Sequence, residues 1–233
     1  MKKVVIVIIE IVLAAAAVGL TVALVSSIQK PVKFKEEVKA REAVGIQRLK
    51  DIRTLQEAFK SSYGRFSPTV DSLKLFYETG SMDIVLQIGS QDDSVAVANT
   101  DAIKKANKKL KPDQITAKLR EAYENGQKVV FSTVTKIPVR DTLFRSRSGF
   151  VVDSLKYIPF SGGKEVEMES TIKKVSGVQV PLFEARMPYK DLCKGLDNQQ
   201  RINLDAECRA KNRFEGLQVG NITTPNNNAG NWE

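Results

Sequence analysis

The first long apolar run covers residues 4–28, VVIVIIEIVLAAAAVGLTVALVSSI, and holds Glu10 as its only charge. At about 1.5 Å of rise per residue such a helix is long enough to cross a hydrocarbon core roughly 30 Å thick. A secretory signal is the competing reading, because Met1, Lys2 and Lys3 form a basic head and residues 14–17 are alanines. The run is longer than the roughly 7–15 residues of a signal core, and a charge inside one is unusual. Residues 1–30 are therefore expected to form a retained membrane anchor.

Pro31 predicts a break or kink, after which a helical pattern resumes over residues 34–62. Val38, Ile46, Leu49, Ile52, Leu55 and Phe59 recur mostly at three- and four-residue steps, while Glu37, Arg41, Arg48, Asp51 and Lys60 fall on the other face. This is an amphipathic helix with one stripe to bury. Gly64 suits its C-terminal cap, and Ser67-Pro68-Thr69 begins a turn before a shorter helix over residues 70–77. Residues 31–80 form one helical segment with its turn.

Residues 82–98, MDIVLQIGSQDDSVAVA, predict two short strands around a polar turn at 90–94. Residues 101–125 return to helical composition, interrupted at Pro112, with a second short helix starting at Asp113. The stretch reads as an exposed basic insertion that adds little to the core. Short β-rich segments follow at 128–139, 150–157, 164–169, 178–186 and 217–222, with Gly162-Gly163-Lys164 as a hairpin turn. Many short strands at this spacing favour an antiparallel sheet over βαβ units, so the class is α+β, with a domain over residues 81–233. Trp232 is expected to pack near the last strand.

Composition narrows the chemistry. The 233-residue chain contains no histidine, which removes the commonest general base and a common metal ligand. GxSxG, Walker A and GxGxxG motifs are missing as well, so neither catalysis nor a cofactor is expected. Cys193 and Cys208 are spaced to close a modest disulfide loop in an oxidising compartment, or to remain two thiols. The net charge is +9. Part of it lies in the run Lys104, Lys105, Lys108, Lys109, Lys111, Lys118 and Arg120, which is either a solvated helix face or a patch for an acidic partner. The run lacks interleaved aromatics for stacking on single strands, so nucleic acid is not the expected partner.

The apolar helix with an internal glutamate, its amphipathic continuation, and the segment LQEAFKSSYGRFSPTVDSL over residues 55–73 resemble type IV pilins and type II secretion pseudopilins. The resemblance covers residues 4–77, and the remainder only as architecture. It implies a long N-terminal helix packed on an antiparallel sheet and a cytoplasmic N-terminus. The rest of the chain would then lie outside the inner membrane, where a disulfide between Cys193 and Cys208 would bound a C-terminal loop. In that family a glycine precedes the processing point and the glutamate is fifth in the mature chain. Glu10 would be fifth from Ile6, but the preceding residue is Val5, so an uncleaved, pilin-like anchor is expected.

Charge counting alone does not orient the anchor, since Lys2 and Lys3 on one flank face Lys30, Lys33, Lys35, Lys39 and Arg41 on the other. Glu10 lies about 10 Å along the helix from Lys3. A carboxylate there is costly unless neutralised or paired, and such groups usually face other protein. The expected role is an inter-subunit bond from Glu10 to a neighbour's Lys2, Lys3 or terminal amine. The expected function is accordingly a non-catalytic structural subunit of a homo- or hetero-oligomeric envelope assembly of pilus or type II secretion type, in contact with membrane lipid and other subunits. Two alternatives are a component of an ion-driven motor that titrates Glu10 and a DNA-capturing subunit that uses residues 104–120.

Overall fold

The computed structural model describes residues 12–233 in full and residues 2–11 as helical backbone only. In chain order the elements are α1 (Lys2–Tyr63), α2 (Val70–Thr79), β1 (Ser81–Ile88), α3 (Ser94–Ala106), α4 (Pro112–Glu124), β2 (Phe131–Pro138), α5 (Val139–Thr142), a 3-10 turn (Val152–Lys156), β3 (Glu167–Val175), β4 (Val178–Pro188), α6 (Tyr189–Leu192), α7 (Asn198–Ala210) and β5 (Gly216–Gly220). The class is mixed helix and antiparallel sheet. The chain divides into two compact units, Met1–Lys74 with Val151–Glu233, and Leu75–Phe150.

α1 runs through Pro31 without the expected break. A proline removes one N–H from the helical ladder, and the residues around it are mostly exposed, so the carbonyl that loses its partner is free to bond solvent. Along residues 12–28 the apolar side chains stay outside the fold: Val12, Leu13, Val18, Leu20, Val22 and Leu24 are 61–67% exposed. This part of α1 is the one candidate membrane span among the described residues.

From Phe34 onward the same helix buries a stripe made of Phe34, Val38, Leu49, Ile52, Leu55 and Ala58. Fully burying a side chain of this size is worth about 1.5–3 kcal/mol. Gly45 lies on that stripe because a Cβ there would meet Leu217 Cδ1 at 2.7 Å, and the missing side chain lets α1 approach β5. The helix ends as its sequence predicts: Gly64 takes φ 71°, and its N–H reaches the Lys60 carbonyl at 2.8 Å.

The stripe faces a three-stranded antiparallel sheet with strand order β3-β4-β5. β4 is central: Phe183, Ala185 and Met187 alternate along one face with 0% exposure, and Leu182 and Glu184 on the other face are 5% exposed, so the middle of the strand is covered on both sides. Ser176 and Gly177 join β3 to β4 with positive φ at both positions, the geometry of a type I′ hairpin. The expected strand over 150–157 is instead the 3-10 turn, in which Val152 and Leu155, three residues apart, are the buried pair. The C-terminal NNNAGNWE returns along β5: Gly230 bridges Val219, and the Asn231 N–H donates to the Gln218 carbonyl at 2.9 Å. Trp232 follows directly, beside the last strand as expected.

The second unit corrects the reading of an exposed insertion with little core. β1 and β2 pair antiparallel from Ser81↔Pro138 to Ile88↔Phe131. Leu119, Ala122, Val129 and Phe131 form a core of their own, with Ile88, Ile103 and Ile115 against it. The expected second strand in residues 82–98 is the start of α3. Asp93 caps that helix, its carboxylate accepting from the Val95 and Ala96 N–H groups, and Ala96 and Thr100 are buried one turn apart. The cap and the four-residue spacing outweigh the β preference of Val95 and Val97.

Candidate functional site

Two adjacent residues of α1, Arg41 and Glu42, hold the single turn α6. The Arg41 guanidinium donates to the carbonyls of Leu192 at 3.0 Å and Lys194 at 2.8 Å, where the end of a helix leaves carbonyls unsatisfied. It also lies over the Phe160 ring, 4.8 Å from the centroid. At the other end of α6, the Tyr189 hydroxyl donates to Glu42 Oε1 at 2.5 Å. Burial, and then the Glu42 carboxylate, push the Tyr189 phenol well above its ordinary value, so it stays a neutral donor.

Both cysteines lie at this corner: the Cys193 N–H donates to the Tyr189 carbonyl at 2.8 Å, and Cys208 lines the same cavity as Tyr189. They are free thiols in the structure: Cys193 is buried just after α6, and Cys208 is half-buried on α7. Burial raises both, Cys193 to about 11, which leaves the unreactive protonated form at neutral pH. On the same helix, Asp205 is 7% exposed and pairs with Arg201. Its Oδ1 has no partner among the described residues. Burial raises its carboxyl, and the Arg201 charge partly offsets the rise.

A channel opens between α1 and α7. One cavity of about 260 Å³ is lined by Phe34, Lys35, Val38 and Glu42 from α1 and by Gln200, Asn203, Leu204 and Glu207 from α7. A second, of about 330 Å³, shares Glu42, Leu204 and Glu207 with it and continues past Ile46 and Cys208 to Lys211 and Trp232. The Trp232 indole N–H is buried without a partner among the described residues. The lining mixes the apolar Phe34, Val38, Ile46 and Leu204 with the carboxylates of Glu42 and Glu207 and the cations of Lys35, Lys211 and Arg213. Among the described residues neither Glu207 nor Glu42 makes an ion pair, and Glu42 accepts from the Tyr189 hydroxyl.

The residues singled out from sequence are not gathered at this corner. Glu10, Lys2 and Lys3 lie outside the residues whose side chains are described. Lys104, Lys105, Lys108, Lys109 and Lys111 belong to the second unit, at the end of α3, the link that follows and the start of α4. They are exposed and carry no ion pair among the described residues, whereas Lys118 pairs with Glu121 at 2.7 Å and Arg120 bonds Thr133. No group of three or more His, Cys, Asp or Glu able to hold a metal ion occurs among the described residues.

Sequence reasoning missed Glu42, Tyr189 and Glu207. The signal for α7 is Asp197, an N-cap residue whose carboxylate accepts from the Gln200 N–H at 3.0 Å. No family model, curated protein or solved structure matches the chain.

Proposed function

We propose that the chain is a membrane-anchored structural subunit of a multi-protein envelope assembly of pilus or type II secretion type, with its folded units on the extracytoplasmic side. The observation that carries this reading is the division of labour along α1. One uninterrupted helix leaves its apolar side chains outside the fold over residues 12–28, then buries a stripe of Phe34, Val38, Leu49, Ile52 and Leu55 in the first unit. Such a helix couples anchor and folded unit as a single rod. Lateral forces in the membrane plane reach the sheet without a flexible linker. The reading assigns no catalytic step to the corner at Tyr189, whose polar groups join elements of the fold.

The test is recovery of the intact chain from membranes in mild detergent, followed by identification of everything that co-purifies and a mass measurement of the particle. Other envelope subunits or further copies of the chain are expected. A solitary monomer with no associated protein would overturn the assembly reading.

A second reading is capture of an acidic partner by the second unit, favoured by Lys104, Lys105, Lys108, Lys109 and Lys111, which are exposed and make no ion pair among the described residues. Binding of that kind weakens steeply with salt. Retention on an anionic polymer that does not change between low and high salt would exclude it.

A further inference from the structure

We propose that Asn221 is an acceptor for N-linked glycosylation, taking onto its side-chain nitrogen a sugar delivered by a lipid-linked phosphate donor. This rests on the extracytoplasmic placement of the folded units, since the modification belongs to surface loops of chains exported across a membrane.

Asn221-Ile222-Thr223 is the one place in the chain where an asparagine is followed two residues later by a serine or threonine. The residue between them is not proline, so the three meet the acceptor pattern for transfer of a sugar to the asparagine amide. Three residues alone do not make a site, because the pattern also arises by chance. The fold decides whether the amide is within reach.

The segment leaves the sheet directly after β5. Gly220 ends the strand with φ 72°, and the loop is exposed from Thr223 through Asn227. Asn221 itself is half-buried. Its Oδ1 accepts from the Thr223 N–H at 2.6 Å and the Thr224 N–H at 3.0 Å, a turn in which the side chain stands in for backbone. With the oxygen held against the chain, the planar carboxamide turns Nδ2 the other way, and Nδ2 donates no hydrogen bond among the described residues. The Thr223 hydroxyl makes none among them either. The fold thus leaves unengaged both groups that the pattern requires. Elsewhere the amides are in use: those of Asn99, Asn107, Asn226 and Asn231 donate to backbone carbonyls.

A polar groove of about 240 Å³ opens beside the acceptor, lined by Asn212, Gln218, Asn226 and Asn231 together with Asn221 and Phe214. Carboxamides both donate and accept, as sugar hydroxyls require. The first sugar therefore has a polar seat, and the sheet has no need to open for it.

In the transfer, Nδ2 attacks the anomeric carbon of the donor sugar. The N–C bond forms as the bond from that carbon to the donor's phosphate oxygen breaks. The lipid-linked phosphate leaves with the electron pair, and the amide gives one proton to a base of the transferring enzyme. The two hydrogen bonds into Oδ1 draw charge from the amide and ease that loss.

The test purifies the full-length chain from the membranes of cells that make it naturally and cuts it with trypsin. Residues 214–233 follow Arg213 and contain no lysine or arginine, so they are read as one segment by fragmentation mass spectrometry. A saccharide mass on Asn221 is expected. Thr223→Ala and Asn221→Gln should lose it entirely, and Thr223→Ser should keep it. Thr223→Ala removes a hydroxyl that the fold does not use, so loss of the sugar there is not a failure to fold. An unmodified wild-type segment, a sugar on Thr223 or Thr224 instead, or a sugar that survives Thr223→Ala would overturn the proposal. Protease added to spheroplasts in parallel locates the folded units. Units cut from outside with Asn221 bare sink the glycosylation alone; units protected inside with Asn221 bare sink the extracytoplasmic placement as well.

Discussion

Gln56 and Ser67 are bonded twice, side chain to backbone. The Gln56 carboxamide Nε2 donates to the Ser67 carbonyl at 2.8 Å, and its Oε1 accepts from the Ser67 N–H at 2.8 Å. Both residues are 0% exposed. The amide copies the pairing of a β-bridge and fastens the turn after α1 back onto the helix, which brings Phe66 against Phe183 with ring centroids 4.8 Å apart. Gln56→Leu leaves a donor and an acceptor of Ser67 buried without partners. The expected loss is about 2–4 kcal/mol, since each unsatisfied buried group costs about 1–3 kcal/mol. Chemical denaturation of the detergent-solubilised chain measures it, and a loss below about 0.5 kcal/mol would show that the clamp does not matter.

The corner at Tyr189 predicts a decline in stability on the alkaline side. The Tyr189 phenol and the Cys193 thiol are both held above their ordinary values, so the fold favours the neutral form of each. Their contribution is complete below the ordinary pKa and is lost as pH rises towards the folded value; for Cys193 the window runs from 9.0 to about 11. Unfolding free energy measured against pH should therefore start to fall near pH 9. Cys193→Ala and Tyr189→Phe should each flatten that fall. A slope identical to wild type in both variants would place the titration elsewhere. Tyr189→Phe also removes the donor to Glu42, at a cost of about 1–2 kcal/mol at neutral pH.

Leu119→Ala should loosen the second unit and leave the first intact. Leu119 is 2% exposed in the core with Ala122, Val129 and Phe131, and truncating a buried leucine costs about 2–5 kcal/mol. Limited proteolysis should cut the variant faster within residues 75–150 while residues 151–233 keep their wild-type protection. Equal acceleration in both regions would mean that the two units unfold as one.

Glu10→Ala should reduce co-purification of the assembly in mild detergent, and Glu10→Gln should reduce it less, because the amide keeps a hydrogen-bonding group at the same place. Recovery unchanged in both variants would remove Glu10 from the contacts between subunits. The same pair of variants separates the motor reading: a titrating group fails on conversion to Gln, whereas a structural one survives better.

By itself the sequence determined the elements whose signals are local. The apolar run over residues 4–28, the stripe from Val38 to Leu55, the stop at Gly64 and the short helix beginning at Val70 were legible because each depends on a few neighbouring residues. The antiparallel class and the segments leading to β2, β4 and β5 were legible for the same reason. Tertiary structure decided the rest. Residues 94–98 have β-type composition but join α3, because the Asp93 cap and the burial of Ala96 and Thr100 favour the helix. The second unit owes its independence to a core assembled from Ile88, Leu119 and Phe131, residues far apart in the chain. The channel beside α1 was illegible, since Glu42 and Glu207 look like ordinary solvated charges until the fold sets α7 alongside α1 and places both carboxylates in the lining of one channel.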